Sequence, residues 1–268
     1  MNRLLAILLS LSPVTFAELP QMSEKTEWLG YFVGWEDKKF DFGIGADGEL
    51  AMMIKKRGKR VSHRDISIRY LIEEEVKGKW VRRQFVENGL SSEQEKGLDP
   101  RKPVAISSTV TGDTTVEWVH VLSRGTVSIL PKLLEKKTSN PVRVGIEFAL
   151  PRLHRFEGKP DEKELKKKAG DDYLRGKRLK DGKKVRIQFD DLEDDVSSEE
   201  FLQDGASEVE VQSVGMSGMT FTLANGDEKS GRIDVVTNGP LYNSFRFRWM
   251  VEMEKIGDQK SFVNFSME

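Results

Sequence analysis

Apolar and polar residues alternate along much of this chain with a period of two. Phe245, Phe247, Trp249, Val251 and Met253 fall on one side of an extended segment, and Arg246, Arg248, Glu252 and Glu254 on the other. Successive side chains of a strand point to opposite faces, so this spacing predicts a strand with one buried and one solvated face. Val142, Val144, Ile146, Phe148 and Leu150 repeat the pattern against Arg143, Gly145 and Glu147, and Ile66, Ile68, Tyr70 and Ile72 repeat it again. Shorter versions occur at Phe40, Phe42 and Ile44; Leu50, Met52 and Ile54; Val185, Ile187 and Phe189; Val209 and Val211; and Met219, Phe221 and Leu223. The stretch 116–130 is apolar on both faces in part, which predicts one central strand between two layers.

Turn chemistry falls between these runs. Segments 46–48, 77–79, 111–113, 180–182, 225–227 and 256–258 each contain a glycine, several beside Asn or Asp, and these residues tolerate the positive φ of tight hairpins. Many strands joined by short turns predict an all-β fold: a large antiparallel β-sandwich, meander- or jelly-roll-like or a supersandwich, with one or two short surface helices. One helix is expected over 161–168, where acidic residues come first and basic ones last, matching the helix dipole; Leu165 is its one large apolar residue, so it has little to bury. Ser198 suits the cap of a single turn over 198–202, and Leu133 and Leu134, following Pro131, suggest another. Two stretches read as long connections, 87–102 and the highly charged 155–184. No internal repeat is visible, and the alternation continues in one style on both sides. The expectation is a single β-domain over 18–268 with a long charged excursion near 155–184.

The N-terminus departs from this pattern. Arg3 precedes an apolar run from Leu4, Ser12 and Pro13 break it, and Thr15 and Ala17 stand where signal peptidase needs small side chains. Residues 1–17 are therefore expected to be a signal peptide cut before Glu18. The run is much shorter than the roughly 20 residues a membrane-crossing helix needs, so no stable span is expected after cleavage. The expected address is export to the periplasm or medium of a bacterium. There are no cysteines, which removes thiolate metal sites, cysteine nucleophiles and lipid attachment at a lipobox, and leaves packing as the source of stability. Lys and Arg total 43 against 44 Asp and Glu, so the chain lacks the basic footprint of a nucleic-acid binder.

Candidate chemistry is thin. The three histidines, His63, His120 and His154, have no local metal-pair spacing, and His120 shares a strand face with Trp118 and Leu122, as a core histidine would. Nucleophile elbows and glycine-rich phosphate loops are absent. The acidic run 190–195 lacks the spacing and glycine of an EF-hand loop and reads as a solvated charge run. No cofactor and no metal is implied. Trp28, Trp35, Trp80, Trp118 and Trp249 lie in or beside strands, where core packing is the usual fate.

The most suggestive feature is arginine at solvated strand positions: Arg69, Arg82, Arg143, Arg246 and Arg248. On neighbouring strands these would form a face whose planar forks suit carboxylate or sulfate groups. Arg143, Arg246 and Arg248, with Tyr242 at the rim, are the candidate ligand-binding residues. The competing expectation is cross-strand pairing with Glu147, Glu252 and Glu254. The functional reading is an exported, noncatalytic β-sandwich that binds an acidic glycan or an envelope protein. Two alternatives stand beside it: a sugar-acting lyase, hydrolase or epimerase using His120 or His154 with Glu117, Glu147 and Arg143, and a structural component of the envelope.

Overall fold

The computed structural model describes residues 19–61, 65–123, 125–151, 159–190, 204–216, 218–226, 231–237, 245–257 and 261–268. The expected signal peptide, His63, His154, Tyr242, most of the acidic run and the turn over 198–202 lie outside the described residues.

The expected all-β fold is found. The strands are, in the first third, β1 (Tyr31–Glu36), β2 (Phe40–Gly45), β3 (Leu50–Lys56), β4 (Lys59–Arg60), β5 (Ile66–Val76), β6 (Lys79–Arg82) and β7 (Phe85–Ser91). There follow β8 (Gly97–Leu98), β9 (Val104–Val110), β10 (Thr114–Ser123), β11 (Thr126–Lys136) and β12 (Val142–Ala149). A helix, α1 (Glu162–Ala169), precedes β13 (Tyr173–Arg178), β14 (Lys184–Gln188), β15 (Ala206–Gln212), β16 (Thr220–Asn225), β17 (Arg232–Thr237), β18 (Phe245–Met253) and β19 (Val263–Met267).

Pairing divides these strands into two arrays. The first runs β8, β1, β2, β3, β5, β12, β18, β17, and the second runs β7, β9, β10, β11, β19, β16, β15, β13, β14. One bridge, Ala206 of β15 with Ile233 of β17, joins them into a single curled sheet. The pairs are antiparallel except β1 with β8, a parallel contact that departs from the wholly antiparallel expectation.

The apolar faces of the two arrays meet. Phe265 of β19 lies 5.6 Å from Phe42 of β2 and 5.1 Å from Phe148 of β12, and Phe148 also meets Phe221 of β16 at 5.9 Å. Tyr70 of β5 stacks on Trp118 of β10 at 4.4 Å. Ring pairs of this kind add about 1 kcal/mol each to the burial of their apolar area. Trp28, Trp35, Trp118 and Trp249 are buried, whereas Trp80 stays half-exposed under the guanidinium of Arg143 at 4.4 Å.

Three local expectations are corrected. The stretch 116–130 is a hairpin, not one strand: β10 ends at Ser123 and β11 starts at Thr126, with Gly125 at φ +76°. Its turn carries no Asn-Gly or Asp-Gly pair, so the alternation seemed to run through. Leu133 and Leu134 belong to β11 and form no turn. The connections 87–102 and 155–184 hold regular structure. β7 and β8 lie in the first, and α1 and β13 in the second. β13 was hidden because its inward positions are Leu174 and Gly176, and a glycine adds no apolar signal. α1 forms as expected, one residue later, with the Asp161 side chain accepting from the Glu164 amide at 2.7 Å and Leu165 fully buried.

Candidate binding cleft

The arginines singled out by alternation do share one surface, because β6, β5, β12 and β18 are consecutive neighbours. Register decides what they do there. One row runs Glu252, Arg143, Glu73, Arg82, and another runs Asp234, Arg248, Glu147, Arg69. Opposite charges alternate across the strands. Arg143 closes on Glu73 at 2.6 Å. Arg248 and Arg246 share Glu147 at 2.9 and 3.5 Å, and that carboxylate is 6% exposed. Three of the four candidate ligand-binding residues thus have their charge met by carboxylates of the same face, and Tyr242 lies outside the described residues.

The same registers leave arginine over at one end. Arg82 stands opposite Glu73, whose carboxylate is held by Arg143. Arg82 consequently has no ion pair among the described residues. Arg69 stands opposite Glu147, which is taken by Arg246 and Arg248, and it turns to the exposed Glu49 at 3.0 Å.

Both arginines border a gap in the sheet. On one edge β5 pairs with β3 only through Ile66–Ile68 and with β6 only from Glu73 onward. Residues 69–72 have no strand partner on that edge. The chain then crosses from β6 to β7, from the first array to the second. The Arg83 amide donates to the Ile72 carbonyl at 2.8 Å, and the Thr111 amide donates to the Gln84 carbonyl at 2.8 Å. The crossing is therefore tied to both arrays.

Arg83 is anchored below. Its guanidinium donates twice to Glu74, once at 2.7 Å through Nε, and Glu74 also accepts from Thr138 Oγ1 at 2.5 Å and Asn140 Nδ2 at 2.6 Å. Burial alone would raise the Glu74 pKa. The three donors and the Arg83 charge outweigh it, and the carboxyl lies below its ordinary value.

The gap is a cleft of about 690 Å³, lined by Asp47, Gly48 and Glu49 of the β2–β3 turn, Arg69 and Tyr70 of β5, Arg82, Arg83 and Gln84 of the crossing, and Phe85, Val86, Gly89 and Leu90 of β7. β7 is bulged between Phe85 and Leu90, which frees the segment between them from the ladder and lets it form a wall. Gly48, at φ +80°, packs against Leu90 so closely that a Cβ would stand 2.8 Å from its Cδ1. Phe85 keeps 39% of its surface exposed.

Beneath the cleft lies a buried polar pair. His120 Nδ1 is 3.0 Å from the Val104 carbonyl, an acceptor only, so Nδ1 carries the proton and Nε2 accepts from the Tyr70 hydroxyl at 2.7 Å. Ser108 Oγ accepts from Trp118 Nε1 at 2.8 Å alongside. Burial pulls the His120 pKa down to about 4, against backbone hydrogen bonds that act the other way, and pushes the Tyr70 hydroxyl well above its usual range. The carboxylates considered with His120 for sugar chemistry do not converge on it. Glu117 points outward from β10 toward Lys132 at 3.8 Å, and Glu147 lies on the outer face of β12. Among the described residues no group of three or more His, Asp or Glu side chains is placed to hold a metal ion.

Alternation along the sequence marks Arg69 and Arg82 but misses Gln84, Phe85 and the cleft itself. The one local signal for them is a lone aromatic following Arg82, Arg83 and Gln84 just after a hairpin turn.

Fold and cleft together define an all-β protein with a groove of mixed charge, partly aromatic and with Arg82 free of an ion pair among the described residues, at a break in its sheet. No protein-family model and no curated protein matches the sequence. Among solved structures the chain is similar to the α-N-acetylgalactosaminidase NagBb of Bifidobacterium bifidum. The complex with Gal-NHAc-DNJ matches at TM-score 0.54 and 12% identity, over 88% of this chain and 36% of that one. The GalNAc complex matches at TM-score 0.53 and 11% identity, over 86% and 35%. The Slr1438 protein of Synechocystis sp. PCC 6803 matches over 95% of this chain and 98% of its own, at TM-score 0.48 and 9% identity. The chain spans about a third of the length of the galactosaminidase. At identities this low the two galactosaminidase matches show a shared β-fold and nothing finer.

Proposed function

We propose that this protein is an exported, noncatalytic, single-domain β-protein that binds an acidic glycan in the cleft. The observation that carries the reading is Arg82: an arginine without an ion pair among the described residues, on a crossing fixed to both arrays, beside Gln84 and the exposed Phe85. A planar fork receives a carboxylate or sulfate in two parallel hydrogen bonds, an amide serves hydroxyls, and an aromatic ring packs against the apolar face of a sugar. Arg143, Arg246 and Arg248 are less suited to the role, because a ligand would have to displace carboxylates already bound to them. The galactosaminidase likeness is compatible with this reading at the level of fold, and the N-terminal pattern supports export.

The test is calorimetric titration with oligogalacturonate and with a neutral oligosaccharide of similar length. Arg82→Ala should weaken oligogalacturonate binding about tenfold, roughly 1.4 kcal/mol. Arg246→Ala should change it by less than about twofold. Equal losses in both variants, or no binding of the acidic oligosaccharide to the wild type, would overturn the proposal.

A further inference from the structure

A second surface lies on the hairpin of β13 and β14, which closes the second array at the end opposite β7. The outward positions of β13 are Tyr173, Arg175 and Lys177, and those of β14 are Lys184, Arg186 and Gln188. Register sets Arg175 directly across from Arg186 and Lys177 directly across from Lys184. Like charges placed opposite one another destabilise a sheet, and here two such pairs stand side by side. The loop between the strands adds Lys183, while its Lys180 pairs with Asp204 at 3.4 Å and its Asp181 with Arg178 at 3.8 Å.

Neutralisation is incomplete. Arg175 pairs with Glu210 of β15 at 2.8 Å, on the side away from β14. Arg186 and Lys184 are exposed and have no ion pair among the described residues. Arg186 rests its guanidinium 4.2 Å from the centre of the Tyr173 ring, and Arg175 reaches the same ring at 5.2 Å. The ring thus holds two like-charged forks together on an open face.

Next to the basic strip stand Glu210 and Glu208 of β15, across from Arg175 and Lys177, and beyond them the surface is rich in hydroxyl and amide groups. Across β15 the rows continue to Thr222, Ser266 and Asn264 on β16 and β19, with Gln212 and Thr220 beside them. Apart from Tyr173, none of these outward positions bears a large apolar side chain. A membrane-binding face uses such side chains to enter the headgroup region. A base-stacking site would need an aromatic face free of guanidinium groups. Cationic forks beside rows of hydroxyl and amide groups suit a chain that carries both acidic groups and many hydroxyls.

We propose that the outer face of the β13–β14 hairpin, with Arg175, Lys184 and Arg186 as its cationic contacts, is a second binding surface that holds a linear acidic polysaccharide. It stands independently of the cleft, since none of its residues lines that site. The cost of setting Arg175 across from Arg186 is relieved when an anion bridges them, and each cation engaged releases a counterion from the polymer, so binding weakens steeply with salt.

The experiment measures binding of the protein to immobilised polygalacturonate across a range of salt concentrations. The comparison is between the wild type, the Lys184→Glu/Arg186→Glu double variant, the Lys184→Arg/Arg186→Lys double variant and Arg82→Ala. The charge-reversed variant should lose about tenfold in affinity at low salt, with a shallower dependence of log affinity on log salt, by about one for each cation removed. The charge-keeping variant should retain wild-type binding, and thermal melting should show both double variants folded. A charge-reversed variant that binds like the wild type overturns this proposal and leaves the cleft untouched. An unchanged Arg82→Ala variant counts against the cleft alone. Wild-type protein that ignores polygalacturonate but binds phosphatidylglycerol vesicles through Lys184 and Arg186 overturns it in favour of a lipid surface.

Discussion

The outer faces of the two arrays use the same residues to opposite ends. On β5, β12 and β18 the rows through Arg143 and Arg248 are interleaved with acids, so that Arg143 meets Glu73 and Arg248 meets Glu147, which Arg246 also reaches from the neighbouring row. On β13 and β14 the register sets arginine across from arginine and lysine across from lysine. Along each strand, taken alone, the two regions look alike: cations at solvated positions opposite apolar or small ones. Strand order and register make the difference. The first face is a lattice of ion pairs that holds strands in place, and the second meets acids only on its β15 side and leaves the cations of β14 to one ring. Cationic composition alone therefore marks no site. Charge left over after cross-strand pairing and set beside an aromatic ring is more telling, as at Arg82 near Phe85 in the cleft and at Arg186 with Tyr173 on the hairpin.

Either face keeps its pattern only while the arrays stay docked, and the largest expected effect concerns that docking. His120 is fully buried between them and titrates near 4, well below the ordinary histidine value of 6.5. In the unfolded chain it takes up its proton near 6.5, so between these values the unfolded state binds more protons than the folded one. Stability is then full above about pH 6.5 and falls as the pH drops toward 4. The loss approaches about 3 kcal/mol for this group once both states are protonated. Denaturant midpoints recorded through this window should fall for the wild type and be flatter for His120→Gln. Parallel slopes in the two proteins would show that His120 does not set the acid sensitivity. Both faces should lose their strand protection together, so binding and stability are best compared between them above about pH 7, where His120 is neutral in both states.

At such a pH the two faces can be set against each other directly. Glu147→Ala removes one carboxylate, 6% exposed, that serves two arginines. It should cost about 2 kcal/mol, since a partly buried charge is left without its partner. Glu210→Ala breaks an Arg–Glu contact of nearly the same length, 2.8 Å against 2.9 Å, but between more exposed side chains. It should cost about 0.5 kcal/mol or less. Equal losses in urea unfolding would mean that the first face is no more structural than the second.

Much of this fold is written in the alternation of residues. The strands around Phe148, Trp249 and Ile68 are legible because each has one strongly apolar side. The missed pieces share a physical cause. β13 buries Gly176 where a larger residue would have marked the strand, and the β10–β11 turn is made without an Asn-Gly or Asp-Gly pair. The site was less legible than the fold. Arg82 is visible in the sequence, but its freedom depends on Arg143 having captured Glu73 from 70 residues away. The gap in the β5 edge arises because β3 and β6 each cover only part of that strand, a fact of pairing that no local pattern carries.

The smallest expected effect is the sharpest test of the hairpin. Lys184→Glu sets an opposite charge across from Lys177 and leaves both guanidinium groups at the Tyr173 ring. If the like charges are a cost borne by the sheet, the variant is more stable than the wild type, by about 0.3 kcal/mol at low salt. Near 1 M salt, where the screening length shrinks to about 3 Å, the gain should disappear. The corresponding reversal on the other face, Arg143→Glu, should destabilise at every salt concentration, because it sets a second carboxylate against Glu73 and removes the cation over Trp80. Opposite signs at low salt are what two differently wired faces require. A Lys184→Glu variant that melts below the wild type would show that Lys184 contributes to folding, and the case for charge held in reserve on the hairpin would be lost.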